Sequence, residues 1–275
     1  MFAGAVRLRS GDHTTAFGSD YAVTKVSVFI VTLNEAETIG ATVQSVADFD
    51  EVIVVDSGST DDTVAIARRE GARVVHHEWQ GFSQQKAFAL GLCSNEWCLN
   101  LDGDEVVPPV LLGELKGLIA SNQWDLIRLR IEDIFMGAPM HPKSRKRAIT
   151  RCFRKSLVQY PTDRRVHENI QGKGRLVTTE QTLTHWGYND LGIYVTKHIK
   201  YARLRAEDKF LAGKRFNGLK LMLIFPITFI KVYLLRGLIL SGWRGLVQSV
   251  VESFYAFLKE AYLWIIERKS AGPDA

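Results

Sequence analysis

Long uninterrupted hydrophobic runs are missing from this chain. Its most apolar stretch, Leu219 to Arg244, is broken by Lys220, Lys231 and Arg236, and the longest uncharged run there is the ten residues Leu221–Ile230. A membrane-spanning helix needs roughly 20 mostly apolar residues. The sequence therefore predicts a segment lying in the membrane interface, with Lys and Arg snorkelling toward headgroups. Cysteine is also scarce: Cys93, Cys98 and Cys152 form no C-x-x-C, and an odd number argues against a disulfide framework and for a reducing cytoplasm. The first 24 residues hold no apolar stretch long enough for a signal peptide and read as a loose extension. A G-x-G-x-x-G after the first strand and a G-x-x-x-x-G-K-[ST] are both absent, which excludes the usual dinucleotide fold and the P-loop.

What is present is enough apolar residue, 46% of 275, to bury a full core. The net charge of +5 is uneven. Lys143, Arg145, Lys146, Arg147, Arg151, Arg154 and Lys155 form one acid-free cluster, and Lys197 to Lys220 a second. Both suit anionic partners. From Lys25, β-branched runs alternate with helical segments, the pattern of a largely parallel sheet covered by helices. Strands are expected at Val26–Val31, Glu51–Asp56, Arg73–His76 and Trp97–Leu101, then at Asp125–Ile131, Ala148–Phe153 and Arg175–Thr184. The composition changes after about residue 195. We expect an α/β domain over residues 25–190 and a basic, amphipathic helical region over 191–275, with Trp243, Tyr255 and Trp264 as interfacial anchors. The second amphipathic segment, Leu246 to Ile265, could equally cap the protein's own core or join two copies.

The chemistry concentrates in Leu101-Asp102-Gly103-Asp104-Glu105, at the end of an apolar strand. Two carboxylates one residue apart make a hard-oxygen site suited to Mg²⁺ or Mn²⁺, ions that commonly carry substrate phosphates. In open α/β sheets ligands bind beyond the carboxyl ends of the strands, where Glu35, Asp56, Asp102 and Asp104 would converge. An Asp-x-Asp after an apolar strand also opens haloacid-dehalogenase-type phosphatases, with Asp102 as nucleophile. Three βα units precede it here, no Gly-Asp-x-x-x-Asp follows, and Glu35 and Asp56 would then be idle. A membrane adaptor or nucleic-acid binder is a further alternative. Against nucleic acid, residues 143–155 contain a single aromatic, Phe153.

Val31-Thr32-Leu33-Asn34-Glu35, then Val54-Val55-Asp56-Ser57-Gly58-Ser59-Thr60-Asp61-Asp62-Thr63, then Leu101-Asp102-Gly103-Asp104-Glu105 together resemble glycosyltransferase family two, enzymes of the GT-A fold. Gln85-Lys86, Val166-His167-Glu168 and the apolar tail extend the resemblance to the bacterial branch that glucosylates the lipopolysaccharide inner core. It implies a mixed, mainly parallel sheet flanked by helices. Thr32, Asn34 and Glu35 would face the ribose; Asp56, with Ser57 and Gly58, would receive the uracil. Asp102 and Asp104 would hold a divalent cation, Mn²⁺ or Mg²⁺, with His185 as third ligand. Lys86, Arg151 and Arg154 would meet the diphosphate. Glu168 is the implied base, positioned by His167, with Asp163 as fallback. A UDP-sugar donor, a lipid-linked glycan acceptor, no nucleic acid, and a peripheral site on the cytoplasmic face of the inner membrane are the implied partners and location. An oligomer through the C-terminal helices is also expected.

Overall fold

The computed structural model describes residues 24–161, 170–188 and 190–271. The first half follows the β-branched runs: β1 (Val26–Thr32), β2 (Glu51–Asp56), β3 (Arg73–His76) and β4 (Trp97–Asp102) are linked by α1 (Ile39–Gln44), α2 (Thr63–Arg69) and α3 (Phe82–Leu92). All pair in parallel, with β1 between β2 and β4 and β3 outside β2. Successive side chains of a strand point to opposite faces, so a strand covered on both sides must be apolar throughout. β1 is buried along its whole length. Its Val28 and Ile30 pack with α1, α2 and α4 (Pro109–Ala120), while Phe29 and Val31 pack with α3. Because β2 and β3 lie on one side of β1 and β4 on the other, the strand order reverses between β1 and β4. That reversal opens a crevice at their carboxyl ends, marked by Thr32 and Asp102.

The sheet continues through β5 (Glu105–Val106), β6 (Leu126–Phe135), β7 (Ala138–Pro139), β8 (Arg147–Arg154) and β11 (Leu176–Tyr188), in the order β3-β2-β1-β4-β8-β6-β11-β5 with β7 on β6. β8 is antiparallel to β4 and β6, and β11 is parallel to β6 and antiparallel to β5. β11 runs beyond the expected end at Thr184 and takes His185, Trp186 and Gly187 into the sheet. A separate pair, β9 (Val158–Gln159) and β10 (Gln171–Gly172), flanks residues 162–169. The result is the helix-flanked mixed sheet expected of a GT-A fold. All three cysteines are buried and unpaired.

Three helices follow: α5 (Leu191–Leu211), α6 (Gly218–Ile230) and α7 (Gly242–Ala271). Asp190 caps α5 by accepting from Ile193 N at 2.7 Å, and Asn217 caps α6 by accepting from Lys220 N at 2.9 Å. α6 contains Pro226 and runs into a wide turn at Lys231–Leu235. Together they make 18 residues, Gly218–Leu235, of mean hydropathy 1.8 and only 6% buried. By length and composition alone this helix could cross a membrane, which the unbroken-run criterion missed because Lys220 and Lys231 interrupt the run without lowering its average much. Phe135 of β6 meets Tyr194 of α5 at a ring distance of 5.2 Å. The basic loop after β7 is fastened to the helical region: His141 N donates to Ser241 Oγ at 2.9 Å, Ser144 Oγ to Gly237 O at 2.9 Å and Arg145 N to Arg236 O at 2.9 Å.

Candidate active site

β4 carries its acids to the crevice on a tight turn. A Cβ on Gly103 would come 2.5 Å from Thr32 Oγ1 and 3.2 Å from Glu35 Cγ, so glycine is required for the approach. Thr38 and Thr42 hydroxyls both donate to Gly103 O at 3.0 Å, pinning the turn to α1 and its entry. Glu105 Oε2 accepts from Asp102 N at 3.0 Å. On the α3 face, Lys86 Nζ lies 3.0 Å from Asp102 Oδ1, and Arg151 Nη2 donates to Asp102 Oδ2 at 2.6 Å and to Glu105 Oε1 at 2.5 Å. Arg151 Nη1 donates to Asn100 Oδ1 at 2.9 Å, where Tyr160 OH also donates at 3.3 Å. Burial works to raise the Asp102 pKa, but the charges of Arg151 and Lys86 outweigh it and hold the carboxyl below its ordinary range. Burial raises that of Glu105, with Asp102 adding to the effect and Arg151 opposing it.

Asp104 points into a second group. Its Oδ2 is 3.5 Å from His185 Nε2, and Trp186 N donates to Asp104 O at 2.9 Å. His185 Nδ1 is 2.8 Å from Asp133 Oδ1, while Arg147 Nη2 donates to that same Oδ1 at 2.8 Å. The Asp133 carboxylate assigns a proton to Nδ1 and aims Nε2 at Asp104, as outer carboxylates do for metal-binding histidines. Burial lowers the His185 pKa, but Asp133 and Asp104 prevail and raise it above the ordinary value. A Cβ on Gly187 would stand 2.4 Å from Asp104 Oδ2 and 2.7 Å from His185 Nε2, so glycine keeps the space beside both donors clear. A carboxylate and an oriented imidazole suit Mn²⁺ better than Mg²⁺. Asp104 and His185 therefore fit a divalent cation. Asp102, engaged by two cationic side chains, would have to loosen those contacts to join them, and among the described residues no three His, Cys, Asp or Glu side chains form a ready-made metal cluster.

The other loops line the same crevice. Glu35 is pushed up to about 7, first by burial and then by the Asp104 charge. Thr32 Oγ1 is buried without a hydrogen-bond partner. Asn34, at φ 55°, accepts from Thr60 N at 2.8 Å, which ties the β1 loop to the β2 loop. Asp56 Oδ2 accepts from Gly58 N and Ser59 N at 3.0 Å, and its Oδ1 accepts from Ser59 Oγ at 2.5 Å. A base N–H would have to share Asp56 with these donors. Ser57 Oγ accepts from Gln85 Nε2 at 2.8 Å, linking the β2 loop to α3.

Of the expected residues, the structure gathers Thr32, Glu35, Lys86, Asp102, Asp104, Arg151 and His185. Lys86 and Arg151 are buried, so neither is a solvated basic side chain. Arg154 is a correction: it pairs with Asp125 at 3.4 Å, lies over the Trp97 ring at 5.0 Å and sits beside the start of β4, at the end remote from Asp102. It lies at an offset of three from Arg151, and on a strand an odd offset changes face. Asp163, His167 and Glu168 lie outside the described residues. Sequence reasoning missed Asp133, Arg147, Glu105 and Asn100. Asn100 and Asp102 share a strand face by period two, a signal that was available; Asp133 depends on the β6–β11 register that sets it opposite His185, which no local pattern carries.

The profile described as Glycosyl transferase family 2 matches residues 27–170. The lipopolysaccharide core biosynthesis glycosyltransferase LpsC of Rhizobium meliloti (strain 1021) is 30% identical over 258 residues, covering 90% of this chain and 95% of that protein. An uncharacterized glycosyltransferase of Rickettsia felis is 32% identical over 87% of this chain and 89% of its own. The crystal structure of glucosyl-3-phosphoglycerate synthase from Mycobacterium tuberculosis, in complex with Mn²⁺, UDP and phosphoglyceric acid, is 29% identical over 42% of this chain and 45% of that one, with a TM-score of 0.35.

Proposed function

Because the chain belongs to glycosyltransferase family 2 and is a glycosyltransferase, we propose that it moves a sugar, glucose in the first instance, from a UDP-sugar to a lipid-linked acceptor such as the lipopolysaccharide inner core. Transfer proceeds with inversion, at the cytoplasmic face of the inner membrane. The observation that carries this reading is the convergence of Asp104, His185, Asp102, Lys86 and Arg151 at the β1–β4 crevice. The match to LpsC along nearly its full length supports the acceptor class.

In this reading Asp104 and His185 would hold the divalent cation, and Asp102 would join them if its contacts to Lys86 and Arg151 loosened. The cation supplies Lewis-acid stabilisation of the departing diphosphate. Lys86 and Arg151 would supply positive charge to the same phosphates. Asp133 orients His185, and Arg147 holds Asp133. Glu168 takes the proton from the acceptor hydroxyl, with His167 beside it. The family match counts against a phosphatase reading, which would also leave Glu35 and Asp56 idle. An adaptor reading leaves these buried charges without a purpose.

The test is a donor screen with the purified full chain, Mn²⁺ or Mg²⁺ and native lipid extract, reading nucleoside-diphosphate release. Release is expected from a UDP-sugar, dependent on lipid and abolished by EDTA, by Asp104→Ala and by Glu168→Gln. Release unaffected by chelation and by both substitutions would sink the proposed site, and turnover of another nucleotide sugar alone would sink the donor.

A further inference from the structure

A cavity of about 580 Å³ lies between the C-terminal helices, away from the sheet. Four segments surround it with cations: Arg205 and Lys209 from α5, Lys214 and Arg215 from the connection, Lys220 from α6 and Lys259 from α7. Only two carboxylates, Asp208 and Glu260, share the lining. Glu260, itself 1% exposed, takes up Lys209 and Lys220, the latter at 3.2 Å. Arg215 reaches Glu267 only at 4.0 Å, and Lys259 lies over the Tyr255 ring at 5.3 Å. Positive charge is thus in excess, held together by helix packing. Burial pushes the Lys259 pKa below its ordinary value, with Lys209 adding to the effect and Glu260 opposing it.

The surroundings choose between sources of that counter-charge. Lys220 stands on the first turn of α6, beside Leu219 at 67%, Met222 at 76% and Leu223 at 44% exposure. A bare hydrocarbon face next to a cationic basin matches the two layers of a lipid monolayer, acyl chains beside phosphates.

We propose that this basin binds the phosphate of an anionic phospholipid headgroup while the exposed face of α6 enters the adjoining acyl layer. It deepens the membrane side of the reading above, on which it rests for its setting, and its test reads lipid binding, not sugar transfer, so the two can fail separately. Phosphate oxygens would accept from Lys214, Arg215 and Lys259, with no covalent change.

The experiment is co-sedimentation of the full chain with phosphatidylcholine vesicles made with and without phosphatidic acid. The triple variant Lys214→Gln/Arg215→Gln/Lys259→Gln is expected to lose at least about tenfold in affinity for the phosphatidic acid vesicles. A charge-matched control on the sheet domain, Arg69→Gln/Lys116→Gln/Lys173→Gln, is expected to bind as wild type does. Equal losses in both triples mean diffuse attraction and overturn the site. If glycerol phosphate in solution raises the thermal midpoint of wild type but not of the pocket variant, and phosphatidic acid leaves vesicle binding unchanged, the ligand is a soluble phosphate and the lipid assignment falls. Should the triple variant unfold, Lys214→Gln/Arg215→Gln, at two exposed positions, carries the same comparison.

Discussion

Lys86 and Arg151 are 2% and 5% exposed in the sheet domain, whereas Met222, Leu235 and Trp243 in the C-terminal region are 76%, 78% and 82% exposed. Each half breaks the ordinary partition of charge outside and hydrocarbon inside, in opposite senses. A buried cation is tolerable only when carboxylates answer it, and here Asp102 and Glu105 do so. An exposed apolar face is tolerable when another phase covers it. The contrast is between a sheet whose buried cations are answered by carboxylates of the same chain and a helical region that leaves large apolar side chains exposed.

The comparison breaks most sharply at Arg151. Arg151→Met leaves Glu105 buried beside an uncompensated site, and chemical denaturation should show a loss of about 3–5 kcal/mol. Arg151→Met/Glu105→Gln should regain most of it. A midpoint unchanged in the single variant would mean that the ion pairs do not hold this half together. Asp104→Ala touches function instead of fold: transfer should drop on the order of a thousandfold, the several kcal/mol a Lewis-acid cation contributes, with the thermal midpoint little altered. Normal transfer in that variant would remove Asp104 from the cation site.

Asp133→Asn tests the layer behind. An amide at this position still reaches His185 but no longer fixes its tautomer, and Mn²⁺ affinity should fall about tenfold to a hundredfold. The readout is the Mn²⁺ dependence of transfer at saturating donor; a lower rate with unchanged metal dependence would leave Asp133 a purely structural role. Glu35 gives a smaller, pH-dependent effect. Its carboxyl rises from an ordinary 4.5 to about 7 in the fold. The native state therefore binds this proton more tightly than the unfolded chain, so its contribution to stability is full below 4.5 and declines as pH climbs to about 7. In EDTA, the thermal midpoint should decline over this window in wild type more than in Glu35→Gln. Mn²⁺ should shrink the difference by neutralising Asp104, and parallel profiles in the two proteins would refute the burial assigned to Glu35.

What the sequence disclosed of each half follows from the range of the forces involved. The βα units were legible because the continuous apolar, β-branched runs of β1 to β4 and the one-sided apolar spacing in α1 and α4 are local consequences of burial, and the acids at or just after the ends of β1, β2 and β4 mark the crevice. The pairings across the sheet were hidden. His185 meets Asp133 because β11 lies parallel to β6, and Arg147 joins them because β8 inserts between β4 and β6. Those registers are set by tertiary packing. Lys86 looked like any helix lysine, since burial of α3 against the β1–β4 face decides its surroundings. Arg154 was misplaced although its offset from Arg151 already put it on the other face.

The apolar half supplies the smallest effect on the fold and the clearest on location. Leu223 and Ile227 are 44% and 56% exposed on α6 and occupy adjacent turns of one face. Both side chains are exposed, so Leu223→Ser/Ile227→Ser should change stability by no more than about 0.5 kcal/mol per site. Vesicle binding that persists at high salt comes from hydrocarbon insertion, because screening removes the charge contribution within a Debye length of about 3 Å at 1 M. The double variant should lose the salt-resistant fraction and keep the salt-sensitive one supplied by the basic cavity. If the variant instead unfolds at markedly lower temperature in the absence of lipid, α6 packs on protein in solution, against this chain or a second copy, and the contrast between a sheet whose charges are answered within the chain and a helical region with exposed apolar side chains no longer holds.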